Sequence, residues 1–361
     1  MPILIDAHED LAWNMLTFGR DYTNSAKATR MIEANNSTTS HNGNTLLGWE
    51  DYQRGKVAVV FSTLFVSPIR RKMGDWDTQA YRNFNEAHDQ YLAQIWAYHK
   101  LADQHPDKFR ILFKRNDLDE VVTDWDQPKP DHPVGLLVLM EGAEGIRQPK
   151  ELEEFWDLGV RIIGPAWSGT RFCGGSNEPG PLTEDGRELL EAMADLGITL
   201  DLSHMDELAA YQALDEYPGS MIVSHGNSAA LLKNYNGNRL LSDEMIKRTI
   251  QRNGIIGLVP VLPFLMTDWK PADGRTRFSL ESVFIEQIDH ICQLAGDAQH
   301  VGIGSDYDGG FGLEHAPEDV DSIADLQKLD GILTSRGYVL QDIEAIMGGN
   351  WLRHLQETLP A

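Results

Sequence analysis

Val134-Gly135-Leu136-Leu137-Val138-Leu139-Met140 is an unbroken apolar run that stops at once on Glu141-Gly142. Polar residues do not alternate through it, so both faces of the segment must be covered, as in a parallel strand with helices packed over it. The pattern recurs outward in both directions. Eight β-branched or apolar runs can be traced: Ile3–Ala7, Val57–Phe65, Val134–Met140, Val160–Ala166, Thr199–Leu202, Met221–Ser224, Gly254–Val261 and His300–Gly304.

Segments of helical period lie between these runs. Thr183 precedes Glu184 and Asp185, then Leu189, Leu190, Met193 and Leu196 follow at core-facing spacing before Gly197. Ser242 opens a second helix closed by Gly254, and Ser279 a third that carries Val283, Phe284, Ile288 and Ile291 and stops near Gly296. Eight strands alternating with helices predict an α/β fold, a single (β/α)8 TIM barrel over residues 1–361, longer than the roughly 250 residues typical of the type. The excess falls in early βα connections: residues 19–50, rich in Asn, Ser, Thr and Gly, and residues 66–133, with a long helix around Ala80–Gln104 and the stretch Pro128–Pro133. A doubly wound open sheet is the competing architecture, because periodicity does not distinguish a closed sheet from an open one.

Composition narrows the partners. Hydrophobic residues at 42% and charged residues at 24% are those of a folded chain. A formal net charge of −24 repels a phosphate backbone, and the longest basic cluster is Arg70-Arg71-Lys72, so no nucleic-acid partner is expected. No stretch approaches the roughly 18 apolar residues of a membrane helix, and the first residues carry no basic leader, so no membrane attachment and a cytoplasmic location are expected. Cys173 and Cys292 read as ordinary thiols. A homodimer is left open.

Ionisable residues collect where the strands end, which in a barrel is the functional mouth. The first run ends Asp6-Ala7-His8-Glu9-Asp10, the third Met140-Glu141-Gly142, and the fifth Asp201-Leu202-Ser203-His204. The sixth ends Val223-Ser224-His225-Gly226-Asn227, and the eighth Gly304-Ser305-Asp306-Tyr307-Asp308-Gly309. Imidazoles and carboxylates converging on one mouth are a ligand set for a borderline dication such as zinc. His8 and Asp10, two apart on an extended strand, face one side and can grip one ion. His204 and His225 can grip a second, and Glu141, with two oxygens, can bridge both. Asp306 is placed to take a proton from a metal-bound water, with third-ligand duty or helix capping as the structural alternative. Asp308 can do either, and Gly309-Gly310 permits a tight turn there.

In their order these tips resemble the membrane dipeptidases, the renal dipeptidase-like metallopeptidases of family M19. The HxD, EG, LSH, SH and GxDxDG signatures run from Asp6 nearly to the chain's end, at Gly349-Asn350-Trp351-Leu352-Arg353. The resemblance implies two zinc ions, one on His8, Asp10 and Glu141, the other on Glu141, His204 and His225. It implies that Asp306 is the catalytic aspartate and that Arg239, in Asn238-Arg239-Leu240-Leu241-Ser242-Asp243, binds the substrate's free carboxylate. The implied reaction is hydrolysis of free dipeptides, some with a D-residue at the C-terminal position, by a hydroxide bridging the two ions.

One position departs from the pattern. Trp167 stands where the mammalian members carry a histidine near the scissile carbonyl, and indole has a single N–H and no cationic form. Either the ions carry the oxyanion charge alone, or Trp167 is a wall that reshapes the pocket, or it is a packed aromatic without a role. A second functional reading keeps the metals and changes the substrate to another small amide, lactone or ester. A third, a metal-stabilised scaffold without catalysis, leaves Asp306 without a purpose.

Overall fold

The computed structural model describes residues 2–361. Its strands are β1 Leu4–Glu9, β2 Val57–Phe65, β3 Val134–Glu141, β4 Val160–Gly164, β5 Thr199–Asp201, β6 Met221–Ile222, β7 Ile256–Leu258 and β8 Val301–Ile303. Each falls inside or within two residues of a run read from the sequence. All pairs are parallel, in the order β6-β5-β4-β3-β2-β1-β8-β7. A parallel bridge between Val223 and Ile256 joins the two ends of that order. The Val223 N–H donates to the Ile255 carbonyl at 2.9 Å, and the Gly257 N–H donates to the Val223 carbonyl at 2.8 Å. The sheet closes on itself, which removes the open-sheet alternative. The seam is tight: a Cβ on Gly257 would fall 1.9 Å from the Ser224 carbonyl oxygen.

Strands β6 and β7 are shorter than their apolar runs, for a visible reason. Past Val223 and Leu258, side chains take over part of the backbone's hydrogen bonding from the neighbouring strand. Asp201 Oδ1 accepts from the Ser224 N–H, and Asn227 both accepts from the Val259 N–H and donates to the Val259 carbonyl.

The predicted caps operate. Thr183 Oγ1 accepts from the Gly186 N–H at 3.0 Å and Ser242 Oγ from the Met245 N–H at 3.2 Å, opening helices Glu184–Asp195 and Asp243–Gln251. Ser279 caps as well, but the first turn, Leu280–Phe284, is π-helical before the α-helix Ile285–Ala295. The long helix starts at Phe84 instead of Ala80, because Asn83 caps it and Ala80–Tyr81 pairs with Ser67–Pro68 as a short parallel ladder. A further strand, Phe109–Ile111, lies beside the first half of β3. Residues 19–50 fold into helices Ala26–Glu33 and Thr38–Asn42 and reach back to the mouth of the barrel. Among the described residues no helix is long and apolar enough to cross a membrane.

Candidate metal centre and substrate pocket

The tips of β1, β3, β5, β6 and β8 converge. His8 Nε2 lies 3.6 Å from Asp10 Oδ2 and 3.9 Å from Glu141 Oε2. Glu141 Oε1 lies 3.0 Å from His204 Nε2 and 3.5 Å from His225 Nε2. Two groups of donor atoms, His8/Asp10/Glu141 and Glu141/His204/His225, each fit within 4.8 Å and share Glu141. A third group, His8/His225/Asp306, brings the Asp306 carboxylate to the same spot. Glu9, between His8 and Asp10, turns away and accepts from the Tyr52 hydroxyl, as the two-residue strand period requires.

The donor atoms fit a bound dication. Asp10 Oδ1 and Glu141 Oε1 are buried acceptors without a hydrogen-bond partner, a costly state unless an ion takes them up. The Nε2 atoms of His204 and His225 face each other at 2.9 Å. Their other nitrogens are engaged: Ser176 Oγ meets His204 Nδ1 at 3.0 Å and Ser224 Oγ meets His225 Nδ1 at 2.9 Å. Because the Ser224 hydroxyl donates to Asp201 Oδ2 at 2.5 Å, it accepts from His225 Nδ1, which leaves the Nε2 lone pair free for a metal.

The tips after β5 and β8 are held under strain. His204, Asp306 and Asp308 adopt left-handed backbone at φ 64°, 57° and 62°, three of the seven non-glycine residues that do so among the described residues. Asp308 is not a ligand. Its carboxylate is buried against Arg20 Nη1 at 3.0 Å and accepts from the Tyr22 and Thr45 hydroxyls and the Leu46 N–H. Its carbonyl accepts from the side-chain amides of Asn14 and Asn42. Gly309 serves by lacking a side chain, since a Cβ there would lie 2.2 Å from Asp306 Oδ1 and 2.7 Å from Asp10 Oδ2.

A cavity of about 410 Å³ opens on this cluster, bordered by Asp10, Glu141, His204, Asp306, Arg239 and Trp167. Arg239 turns its guanidinium inward. Nη2 donates to the His225 carbonyl at 3.2 Å, while Nε and Nη1 are buried donors without partners. Buried N–H donors left unmet on a guanidinium are what an anion such as a carboxylate takes up. The Tyr235 hydroxyl accepts from the Arg239 and Leu240 N–H groups, and Asn238 donates to the Gly175 carbonyl and to Asp206. The arm that carries Arg239 is thus tied to the hairpin that carries Ser176. Trp167 stands 6.4 Å from the His204 ring and 4.9 Å from that of Phe65, centroid to centroid.

Burial sets the electrostatics. It pulls the His8 imidazole down, but the Glu141, Asp10 and Asp306 carboxylates outweigh it and carry the pKa up to about 10. It drives His204 and His225 well below the usual imidazole value, with Arg239 and His8 adding to the effect. It pushes Glu141 well above the carboxylate range and Asp306 up to about 7, the latter helped by Asp10 and opposed by His8 and Arg239. A bound dication inverts this logic by holding imidazoles neutral and carboxylates ionised.

All eight sequence candidates, namely His8, Asp10, Glu141, Trp167, His204, His225, Arg239 and Asp306, meet at this mouth. The sequence reading missed Ser176 and Asp201, which orient the imidazoles, and Trp13, Phe65, Phe264 and Phe311, which line the cavity. The hydroxyl at Ser224 was quoted but given no role, although its place before a candidate ligand was the available signal.

Comparison with known proteins places the chain among dipeptidases. A "Dipeptidase tcpJ" of Claviceps purpurea is 25% identical over 329 residues, covering 86% of this chain and 70% of the relative. "Dipeptidase 3" of Mus musculus is 26% identical over 283 residues, 72% of this chain and 54% of the relative. A solved dipeptidase described as a metallo peptidase of family M19 superposes with a TM-score of 0.79 at 23% identity, over 100% of this chain and 99% of that one. A metallo peptidase from Rhodobacter sphaeroides, liganded with a phosphinate mimic of L-Ala-D-Ala, superposes with a TM-score of 0.79 at 22% identity, over 99% and 100% of the two chains. At such identity the two structures speak for the barrel alone. The sequence profile described as membrane dipeptidase, peptidase family M19, matches residues 1–359, and the chain belongs to that family.

Proposed function

We propose that the protein hydrolyses free dipeptides with two zinc ions, one held by His8, Asp10 and Glu141 and the other by Glu141, His204 and His225. One observation carries the reading: two imidazole–carboxylate groups that share Glu141 border the same cavity as a guanidinium with two unmet donors. Bound there, zinc supplies a nucleophilic water at neutral pH and draws electrons from the scissile carbonyl.

The chain's own residues do the rest. Arg239 takes the C-terminal carboxylate, which sets the peptide's register so that its carbonyl lies over Glu141, an orientation effect of several kcal/mol. Asp306, whose carboxylate is buried at the same spot as His8 and His225, receives the proton of the attacking water and hands it to the leaving amine. Trp167 acts as a wall, because indole has no cationic form with which to meet an oxyanion. A cytoplasmic setting fits the two free thiols, Cys173 and Cys292.

The test is a hydrolysis screen of zinc-loaded protein against free dipeptides, including ones with a D-residue at the C-terminus, tripeptides, N-acyl amino acids and lactones. Turnover confined to dipeptides and abolished by a chelator is expected. Turnover of lactones or N-acyl amino acids with dipeptides untouched overturns the reading in favour of another small amide, lactone or ester.

A further inference from the structure

Around the mouth, the aromatic rings fall into two arcs. On one, Trp13 after β1, Phe65 at the end of β2 and Trp167 after β4 border the cavity. Phe65 is the register partner of Glu141, so its ring stands directly beside the shared carboxylate. The Phe65 ring lies 4.9 Å from that of Trp167 and 6.3 Å from that of Trp13, both edge-on, which makes the three a continuous wall. On the other arc, the Arg239 guanidinium lies 5.3 Å over Phe264, and Phe264 lies 5.3 Å from Phe311.

A dipeptide on Arg239 crosses between the arcs. With its carboxylate on that guanidinium and its carbonyl over Glu141, the N-terminal Cα lies about 3.8 Å beyond the C-terminal one, away from Arg239. Its side chain then meets the Trp13–Phe65–Trp167 wall. The charged group at the rim of that arc, Arg71, is committed outward, its Nε paired with Glu178 Oε1 at 2.9 Å. The wall itself, Trp13, Phe65 and Trp167, therefore offers rings and no charged group.

We infer, on the dipeptidase reading above, that the preferred substrates carry a large apolar or aromatic residue at the N-terminal position, selected by Trp13, Phe65 and Trp167. Desolvating such a side chain against three rings distinguishes it from glycine by about tenfold to a hundredfold in kcat/KM.

The experiment measures kcat/KM of the zinc-loaded protein along the series Gly-Ala, Ala-Ala, Leu-Ala and Phe-Ala, with Lys-Ala and Glu-Ala beside it. A rise of about tenfold or more from Gly-Ala to Phe-Ala is expected, with Lys-Ala and Glu-Ala below Leu-Ala. Trp167→Ala is expected to shrink the Phe-Ala to Gly-Ala ratio several-fold. Phe65→Leu, which keeps most of the buried volume, is expected to move it the same way. Calorimetric titration with the phosphinate analogues of Phe-Ala and Gly-Ala reads the same preference without turnover, and the Phe analogue is expected to bind more tightly. Dipeptide turnover with a flat N-terminal series, or a ratio unmoved by both substitutions, overturns the inference alone. No turnover of any dipeptide overturns the dipeptidase reading and the inference with it.

Discussion

His225 is steadied from within the barrel, whereas Asp306 is steadied by the insertion of residues 19–50. On the first side the carboxylate of Asp201, at the tip of β5, accepts from the Ser203 hydroxyl at 2.7 Å, from the Ser224 hydroxyl at 2.5 Å and from the Ser224 N–H at 2.9 Å. The Ser224 contacts join neighbouring strand tips, and the Ser203 contact stays within the tip of β5. On the second side Asp308, two residues beyond Asp306, is bound by Arg20, Tyr22, Thr45 and Leu46, and Arg20 is itself bound to Glu33 at 2.9 Å. The first arrangement orients ligands with neutral hydroxyls and one acid, at little risk to the fold. The second sets a strained turn with a buried ion pair, whose loss leaves a charge without its partner.

On the proposed function Asp306 has a task distinct from metal binding, and the sharpest way to break it is Asp306→Asn. Turnover should fall by about a hundredfold or more while the metal content stays unchanged, as measured by steady-state kinetics and by elemental analysis of the dialysed protein. Loss of an ion instead would make Asp306 a ligand, and the insertion would then be supporting a metal site like the one opposite.

How far these parts could be read from the sequence follows the same division. The eight strands were legible because continuous apolar runs leave few alternatives for a buried parallel sheet, and His8, Asp10, Glu141, His204, His225 and Asp306 because each follows the end of such a run within three residues. Arg239 and Trp167 sit in loops and were legible through resemblance alone. The contact of Arg20 with Asp308 joins residues 288 apart and leaves no local trace. Phe65 read as the last core residue of its run, and only the register of β2 on β3 turns it towards the cavity.

Asp308→Asn probes the insertion's side. The substitution weakens the pairing with Arg20 and the hydrogen bonds from Tyr22 and Thr45 beneath the turn that carries Asp306. Thermal unfolding should report a loss of roughly 2 kcal/mol, and kcat should fall by about tenfold to a hundredfold with KM nearly unchanged. Arg20→Lys, which keeps the charge but not the fork, should by itself cost more than half as much stability. A drop in stability without a drop in kcat would make the network a fastening of the insertion and nothing more.

Ser224→Ala probes the opposite side and should have the smallest effect. The hydroxyl stands between Asp201 and His225 Nδ1, so its removal frees the imidazole to take the other tautomer, with Nε2 protonated and unable to bind metal. The fold should tolerate the change, because Ser203 still donates to Asp201 through both its hydroxyl and its N–H, and the Ser224 N–H is retained. Chelator competition should then show one ion weakened by about tenfold to a hundredfold and the other unaltered, while the metal-free protein unfolds at its original temperature. If the metal-free protein instead melts early, as Asp308→Asn is expected to do, the serine relay is also part of what holds the barrel together, and the two sides of the centre differ in wiring but not in kind.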